Sequence, residues 1–546
     1  MAPNGANGEA RDVDRNCLYY GDNLDVMRSH ISDESVDFIY LDPPFNSQVN
    51  YNVLFKAPTG EQSKAQIEAF EDTWHWNTKA EDAFEDVIKC SNTTLSELLR
   101  SMRIFLGEND MMAYICMMAV RLVELHRVLR SNGSLCLHCD PTASHYLKLL
   151  LDGVFGIEYF TNELIWQRST PKGLAFTRFP SNHDVIFFYR KGSQYCWNTQ
   201  YQHHRQDYID KYYSMIDPAT NRRFQATSLL NPNKDRPNLT YEFHGYTRVW
   251  RWTKPRMLQA EAEGRIYFPP NGGVPREKRF LDEQEGTPVT SVWTDIPPVN
   301  SQAQERLGYP TQKPVELLKR LIASSTKEDS IILDPFCGCG TTIHAAEAMG
   351  RRWIGIDITH LAISLIERRL KAAFSNKISY DVHGTPKDAA GAKDLWRRDA
   401  YQFQWWATSL VDAVPFGGKK KGADNGVDGI IYFRPDGRVV EKAVVSVKGG
   451  EHVGVAMVRD LAHVVEREHA KIGVFVTLAR PTAPMETEAV KAGAYETAFG
   501  KYPKIQIVTI ADLISGVRPR IPLVDPSVFR SPAREDTSRI RQAALL

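Results

Sequence analysis

Short apolar runs recur along the chain and alternate with stretches of helical period. Near the N-terminus CLYYG reads as a strand, NLDVMRSHI as a helix and VDFIYLD as a second strand. A Met-rich run from Met111 continues into RLVELHRVLR, which predicts an amphipathic helix, and the strand GSLCLH (133–138) follows it. The alternation resumes late in the chain. There a helix PVELLKRLIASS, a strand SIILD, a helix TTIHAAEAMG, a strand WIGIDI and a helix THLAISLIERRLKAAF succeed one another. Such a pattern predicts a parallel sheet with helices on both faces. From 192 to 300 the period lapses, and Tyr, Trp, Pro and Arg predict an irregular, loop-rich module. After the small-residue stretch PKDAAGAKD (386–394), the strands GIIYF, KAVVSVK, IGVFVTL and KIQIVTI predict a separate small α/β domain.

Length supports several domains, since 546 residues correspond to three or four. The divisions expected are 1–191, 192–300, 301–385, 386–520 and a tail, 521–546. Lys and Arg total 67 against 66 Asp and Glu, so a nucleic-acid surface has to be a local patch. The apolar stretch Met111 to Val120 is about half of what a bilayer requires, and no membrane partner is expected. The start, MAPNGANGEARDVDRN, is polar without an apolar signal core. Eight cysteines, spread thinly up to Cys339, do not form a disulfide pattern. A cytoplasmic, reduced protein is expected.

The strand VDFIYL runs straight into Asp42-Pro43-Pro44-Phe45, at the edge where parallel sheets present residues to ligands. Two prolines make the turn rigid and aim carbonyl oxygens and one carboxylate outward. Asp42 and the Pro43 carbonyl suit the two hydrogens of an exocyclic ring amine. Accepting both frees the nitrogen lone pair for attack. Phe45 offers a ring on which a base taken out of the duplex can stack.

The second motif joins the strand SIILD to PFCGCGTT and a helix. Gly338 and Gly340 let the backbone approach a ligand at a helix N-terminus. Asp357 ends the next strand, 17 residues after Gly340, where an acid suits ribose hydroxyls. A dinucleotide fingerprint would need a third glycine where Ile343 stands. Asp334 before the loop suits an amino group or sulfonium better than a pyrophosphate. These departures favour S-adenosylmethionine over NAD. Cys337 and Cys339 lack a second ligand pair, and His138 and Cys139 point to opposite faces of a strand, so no metal is assigned to them.

Together the motifs resemble the amino-group DNA methyltransferases of the β arrangement, in which the catalytic half precedes the target-recognition region and the cofactor half follows it. GYPTQKP (308–314) resembles the family's helix entry beside the methionine end of the cofactor. Gly21-Asp22-Asn23 resembles its third cofactor strand, whose acid approaches the adenine ring, and NELIWQRS (162–169) a later motif. The resemblance implies a circularly permuted, Rossmann-like S-adenosylmethionine-dependent fold. It implies Asp42, Pro43, Pro44 and Phe45 as catalytic residues. It implies Asp22, Thr311, Gln312, Lys313, Asp334, Phe336, Gly338, Gly340, Thr341 and Asp357 as cofactor contacts. Asp42 in place of Ser favours adenine N6 over cytosine N4 within the family. The implied partner is double-stranded DNA in a prokaryotic, nucleoid-associated setting, with a homodimer and a separate restriction endonuclease left open. A non-catalytic nucleic-acid-binding protein is the alternative from another class.

Between the two halves, Arg248, Arg251, Lys254, Arg256, Arg276, Lys278 and Arg279 lie among Tyr246, Trp250, Trp252, Tyr267 and Phe268. Arginines and aromatic rings so interleaved suit DNA. GADNGVDGIIYF (422–433) and KAVVSVKGG (442–450) resemble the Mrr-like branch of the PD-(D/E)xK nucleases. The resemblance implies Asp428 as a Mg²⁺ ligand and Lys448 as its partner. Ser446 stands where an acid is needed, and Asp424, Gln402 and Gln404 are the remaining substitutes. Mg²⁺ therefore enters only as a ligand of this domain. Two readings remain open for it, a non-cleaving DNA-binding or structural module and an active nuclease fused to the methyltransferase.

Overall fold

The computed structural model describes residues 15–44, the backbone of 50–56 and 62–71, and residues 75–169, 179–300, 303, 305–307, 309, 311–375, 378–416, 426–436, 439–522 and 535. The chain divides into two compact units, one of residues 199–290 and one of the remainder.

The larger unit is built on a nine-stranded sheet. Its centre is five parallel strands in the order Leu129–Cys139, Val36–Leu41, Ile331–Asp334, Arg352–Asp357, Asn16–Tyr20. Tyr380–His383 adds in parallel at one edge. At the other edge His183–Arg190 pairs antiparallel with Leu129–Cys139, Phe160–Gln167 pairs antiparallel with His183–Arg190, and the short Val292–Trp293 ends the sheet in parallel. Strands from the two ends of the chain thus interleave. Val36–Leu41 is buried along almost its whole length, as a central parallel strand covered on both faces should be. Its one polar residue, Asp37, pins both neighbours: its carboxylate accepts from the Ile331 N–H (2.8 Å) and from Arg130 (2.7 Å).

The Met-rich helix spans Asp110–Val128, with Asn109 accepting from the Met112 N–H as its N-cap. Its expected amphipathic character is not found. Met112 to Met118 are buried on nearly every side, and so is Arg121, because the helix is packed from several directions.

A second sheet orders Val414–Pro415, Gly429–Phe433, Glu441–Lys448, Ile472–Thr477 and Ile505–Thr509; the first three pair antiparallel and the last three parallel. Helices Ala400–Leu410, Val455–Arg467 and Ala483–Lys491 accompany it. One core, with Phe403, Trp406, Phe433 and Val474, and another, with Val444, Val458, Leu461 and Phe475, cover its two faces.

The unit 199–290 is more regular than the sequence suggests. Ile266–Tyr267, Arg276–Phe280, Arg223–Ser228 and Met215–Ile216 form a four-stranded sheet, and Thr240–Phe243 pairs with Tyr246–Val249 as a hairpin. Leu229, Phe243, Trp250, Met257 and Ile266 form a core with the helix Lys254–Ala262. Strands of two to six residues are too short to set up a readable alternation.

Candidate active site at the strand ends

Four neighbouring parallel strands deliver carboxylates to one edge. Asp42 follows Val36–Leu41, Asp334 and Asp357 close their strands, and Asp22 lies two residues beyond Tyr20. They line one cavity of about 240 Å³ with Pro43, Pro44, Thr311, Gln312, Lys313, Phe336, Gly338 and Thr341. Residues more than 300 positions apart in the chain meet there. Phe45 lies outside the described residues.

Asp334 is buried, and burial pushes its carboxyl up to about 7, helped by the nearby charges of Asp42 and Asp357. Hydrogen bonds from Thr342 and the Phe336 N–H only partly offset this. Asp357 is pushed up to about 6, again first by burial. Its oxygens accept from the Gly338 N–H, the Thr359 N–H and the Thr359 hydroxyl, each at 2.9 Å. Burial of this kind disfavours the ionised form, and a cation placed against such an acid stabilises it.

Asp42 is ion-paired. Lys313 Nζ donates to its Oδ2 at 2.5 Å, and both side chains are largely shielded from solvent. Thr311, just before this lysine, has a φ of 60°, a left-handed conformation that is costly for a β-branched residue. Gln312 spans its own loop, accepting from the Leu307 N–H and donating to the Glu305 carbonyl.

The two glycines do different work. Gly338 has φ 50°, and a Cβ on it would come within 3.3 Å of the Tyr309 ring at the cavity wall. Gly340, expected as a ligand contact, is not at the cavity. It is the left-handed N-cap residue of Thr341–Ala348, and a Cβ there would lie 2.7 Å from Ile366. Its smallness serves helix packing.

Asp22, expected against an adenine ring, N-caps the helix Asn23–His30 and pairs with Arg121 (3.0 Å) while still reaching the cavity. Buried Arg121 also donates to Asn23 Oδ1 (2.6 Å), and Asn23 Nδ2 donates to the Pro335 carbonyl (2.8 Å). This network fastens two chain-distant loops together. Arg121 was missed because, in sequence, it marks the polar side of an amphipathic helix.

A second network was also missed. Tyr40 lines the cavity, and its hydroxyl lies 2.8 Å from His138 Nδ1. His138 Nε2 lies 3.2 Å from Asp184, and Arg168 pairs with the other Asp184 oxygen at 3.0 Å. Burial alone would raise the Asp184 carboxyl; the His138 hydrogen bond and the charges of His138, Lys313 and Arg168 hold it below its usual range. The signal available in sequence was His138 and Asp184 inside otherwise apolar strands.

In the smaller unit Arg248, Arg251, Lys254, Arg256, Arg276 and Arg279 are exposed. Arg256 stacks over Trp252 with its guanidinium 4.8 Å from the ring centroid. Lys278 does not belong with them: it neutralises buried Asp217 at 2.6 Å.

Among the described residues the nuclease-like side chains do not form a metal site. Asp428 is buried, and its oxygens accept from the Gln404 side-chain amide and the Val447 N–H (2.6 Å). Ser446 is buried on the same strand as Lys448. No cluster of three metal-ligating side chains occurs among the described residues. Where a metal ligand was expected Gln404 supplies a hydrogen-bond donor, so Asp428 fastens strand to helix instead. Asp424 lies outside the described residues.

The sheet and the carboxylate-rimmed cavity define a doubly wound α/β protein with its ligand site at the carboxyl ends of the strands. A family model described as DNA methylase matches residues 36–368, and the chain belongs to that N6/N4 methyltransferase family. A second model, described as NACHT-associated inactive Restriction Endonuclease 1, matches residues 410–515. The type II methyltransferase M.EcaI of Enterobacter cloacae is 28% identical over 261 residues, 47% of this chain and 57% of that protein. The type III restriction-modification enzyme StyLTI Mod subunit of Salmonella typhimurium is 25% identical over 351 residues, 61% of this chain and 50% of that one. The chain spans about half the length of these curated relatives. The solved M1.HpyAVI–SAM complex aligns at 14% identity with a TM-score of 0.30, over 65% of this chain and 98% of that one, too loose a likeness to carry residue roles across. Among the described residues no helix is long and apolar enough to cross a membrane.

Proposed function

We propose that the chain transfers a methyl group from S-adenosylmethionine to the exocyclic N6 amine of adenine in duplex DNA. The observation that carries this reading is the single cavity in which Asp42-Pro43-Pro44 faces Asp334, Gly338 and Asp357. The donor set fits the cofactor: Asp334, whose carboxyl burial pushes up to about 7, gains from a cation and suits its charged end, and the glycine loop with Asp357 suits its nucleoside part. Asp22, Thr311, Gln312, Lys313, Phe336 and Thr341 complete the proposed wall.

When bound, S-adenosylmethionine supplies an electrophilic methyl group. Asp42 Oδ1 and the Pro43 carbonyl accept the two N–H hydrogens of the flipped base's amine, which localises its lone pair. Lys313 holds Asp42 from the opposite oxygen and keeps its carboxylate aimed. The rigid Pro-Pro turn makes that alignment permanent, so rate comes from positioning and preorganised acceptors. The exposed arginines of 199–290 hold the duplex. Among its described residues the C-terminal domain gathers no metal-binding cluster, which favours the non-cleaving reading, and a separate restriction partner is consistent with the likeness to a Mod subunit.

The test is to incubate the purified protein with unmethylated DNA and S-adenosylmethionine, with and without Mg²⁺. The DNA is then digested to nucleosides for mass spectrometry, and a portion is run on a gel. N6-methyladenine without cleavage is expected. N4-methylcytosine would replace the base and keep the mechanism; no methylated base would overturn the reading.

A further inference from the structure

The helix Ala400–Leu410 has two working faces. Phe403, Trp406 and Ala407 belong to the core under the C-terminal sheet. Trp405 turns the other way and is buried with Leu307, Tyr309, Cys339, Leu361 and Leu365, all from the methyltransferase half. Of these, Tyr309 and Cys339 line the candidate cofactor cavity, and Tyr309 is the ring that Gly338 accommodates. Gln402 lies one turn before Trp405. Its side-chain Oε1 is buried and accepts from the His360 N–H at 3.0 Å, at the start of the helix His360–Phe374 that follows Asp357 and Thr359. His360 in turn stacks on Tyr20 with ring centroids 3.6 Å apart, and Tyr20 leads directly into Gly21-Asp22. Asp399 caps the helix by accepting from the Tyr401 and Gln402 N–H groups, which fixes how it presents these side chains.

We propose that this helix, packed under the C-terminal sheet, buttresses the wall of the cofactor site from behind, with Trp405 and Gln402 as positioning residues that hold Tyr309, Cys339 and the Asp357–His360 turn in their binding geometry. The domain's contribution is then to cofactor affinity. Two contacts support it independently: the shared apolar cluster and the Gln402 cap, whose partner His360 carries the contact on to Tyr20. None of these residues reaches the reacting atoms. Their removal should loosen the loop that binds cofactor and leave the Asp42 side of the cavity standing.

The inference rests on the proposed cofactor reading, and the experiment separates the two. S-adenosylmethionine binding is measured by calorimetry on full-length protein, together with methyl-transfer kinetics. Wild type should bind; if it does not, the cofactor reading fails and this inference with it. Trp405→Ala should raise Kd about tenfold while kcat at saturating cofactor stays within about threefold. Trp405→Phe should recover most of the affinity. Gln402→Ala should raise Kd about threefold or more, and it alone decides if Trp405→Ala folds poorly. Val458→Ala, in the core on the other face of the same sheet, should lower the melting temperature and leave Kd unchanged. If wild type binds and the folded Trp405 and Gln402 variants bind equally well, or if Val458→Ala weakens binding as much as they do, the proposal is overturned.

Discussion

Lys313 Nζ sits 2.5 Å from Asp42 Oδ2, joining the turn after Val36–Leu41 to a segment about 270 residues later. On the proposed mechanism, Asp42→Ala abolishes methyl transfer and leaves cofactor binding within a few fold. Lys313→Ala leaves Asp42 without its counter-ion in a shielded site, and kcat falls about ten- to a hundredfold. Single-turnover kinetics beside calorimetry check both; full activity in Asp42→Ala would displace Asp42 from its role, and full activity in Lys313→Ala would displace Lys313 as the residue that aims it.

The raised carboxyls give the site a signature in pH. Asp334 titrates at 3.8 ordinarily and near 7 in the folded protein, so the folded state binds the extra proton between those values. Its contribution to stability is complete below about pH 4 and is lost as pH rises through 7, by up to about 4 kcal/mol. A cationic ligand stabilises the ionised form, so its affinity should rise with pH through 6 to 7, where Asp357 and Asp334 lose their protons. Melting curves with and without S-adenosylmethionine, taken across that range, should therefore diverge as pH increases. Parallel curves would remove these acids from cofactor binding.

His138 links Tyr40 to Asp184 inside the sheet. Its replacement by Ala strands a buried hydroxyl and leaves a buried carboxylate with Arg168 alone. The expected cost is about 3 kcal/mol, read by denaturant unfolding, with a loss in kcat larger than any change in cofactor Kd. A variant as stable as wild type would mean the network is slack.

Asp428 is occupied by Gln404 and the Val447 N–H. Asp428→Ala should cost about 1–3 kcal/mol, and the wild-type protein should leave supercoiled DNA uncut with Mg²⁺ present. Nicking that requires Mg²⁺ and vanishes in this variant would restore the nuclease.

Arg251→Ala and Arg256→Ala should each weaken DNA binding and reduce the slope of log K against log salt by about one. Lys278→Ala should chiefly destabilise the smaller unit, because it unpairs buried Asp217. Fluorescence anisotropy at several salt concentrations, beside thermal melts, distinguishes these effects.

The strands carrying Asp42, Asp334 and Asp357 were legible because a buried parallel strand is a short apolar run with an abrupt polar end. Gly338 was legible from the turn it must make. Gly340 was legible as a glycine of the same turn, but its second constraint was not, since that comes from Ile366, a side chain brought close only by folding. Arg121, His138 and Asp184 escaped for a related reason: a polar residue in an apolar element acquires meaning from partners that are remote in sequence. Lys278 and Arg276 looked alike in a basic run, and only pairing with Asp217 separates them. The sheet within 199–290 was hidden by the brevity of its strands.

The interleaved sheet has a consequence for biogenesis. Asn16–Tyr20 and Val36–Leu41 are made first, yet two strands synthesised some three hundred residues later must slot between them. The emerging N-terminal portion therefore exposes unsatisfied strand edges throughout translation, a situation that slows folding and invites chaperone capture. By the same logic, a chain severed within 199–290 should yield fragments that bind cofactor only after they have been mixed.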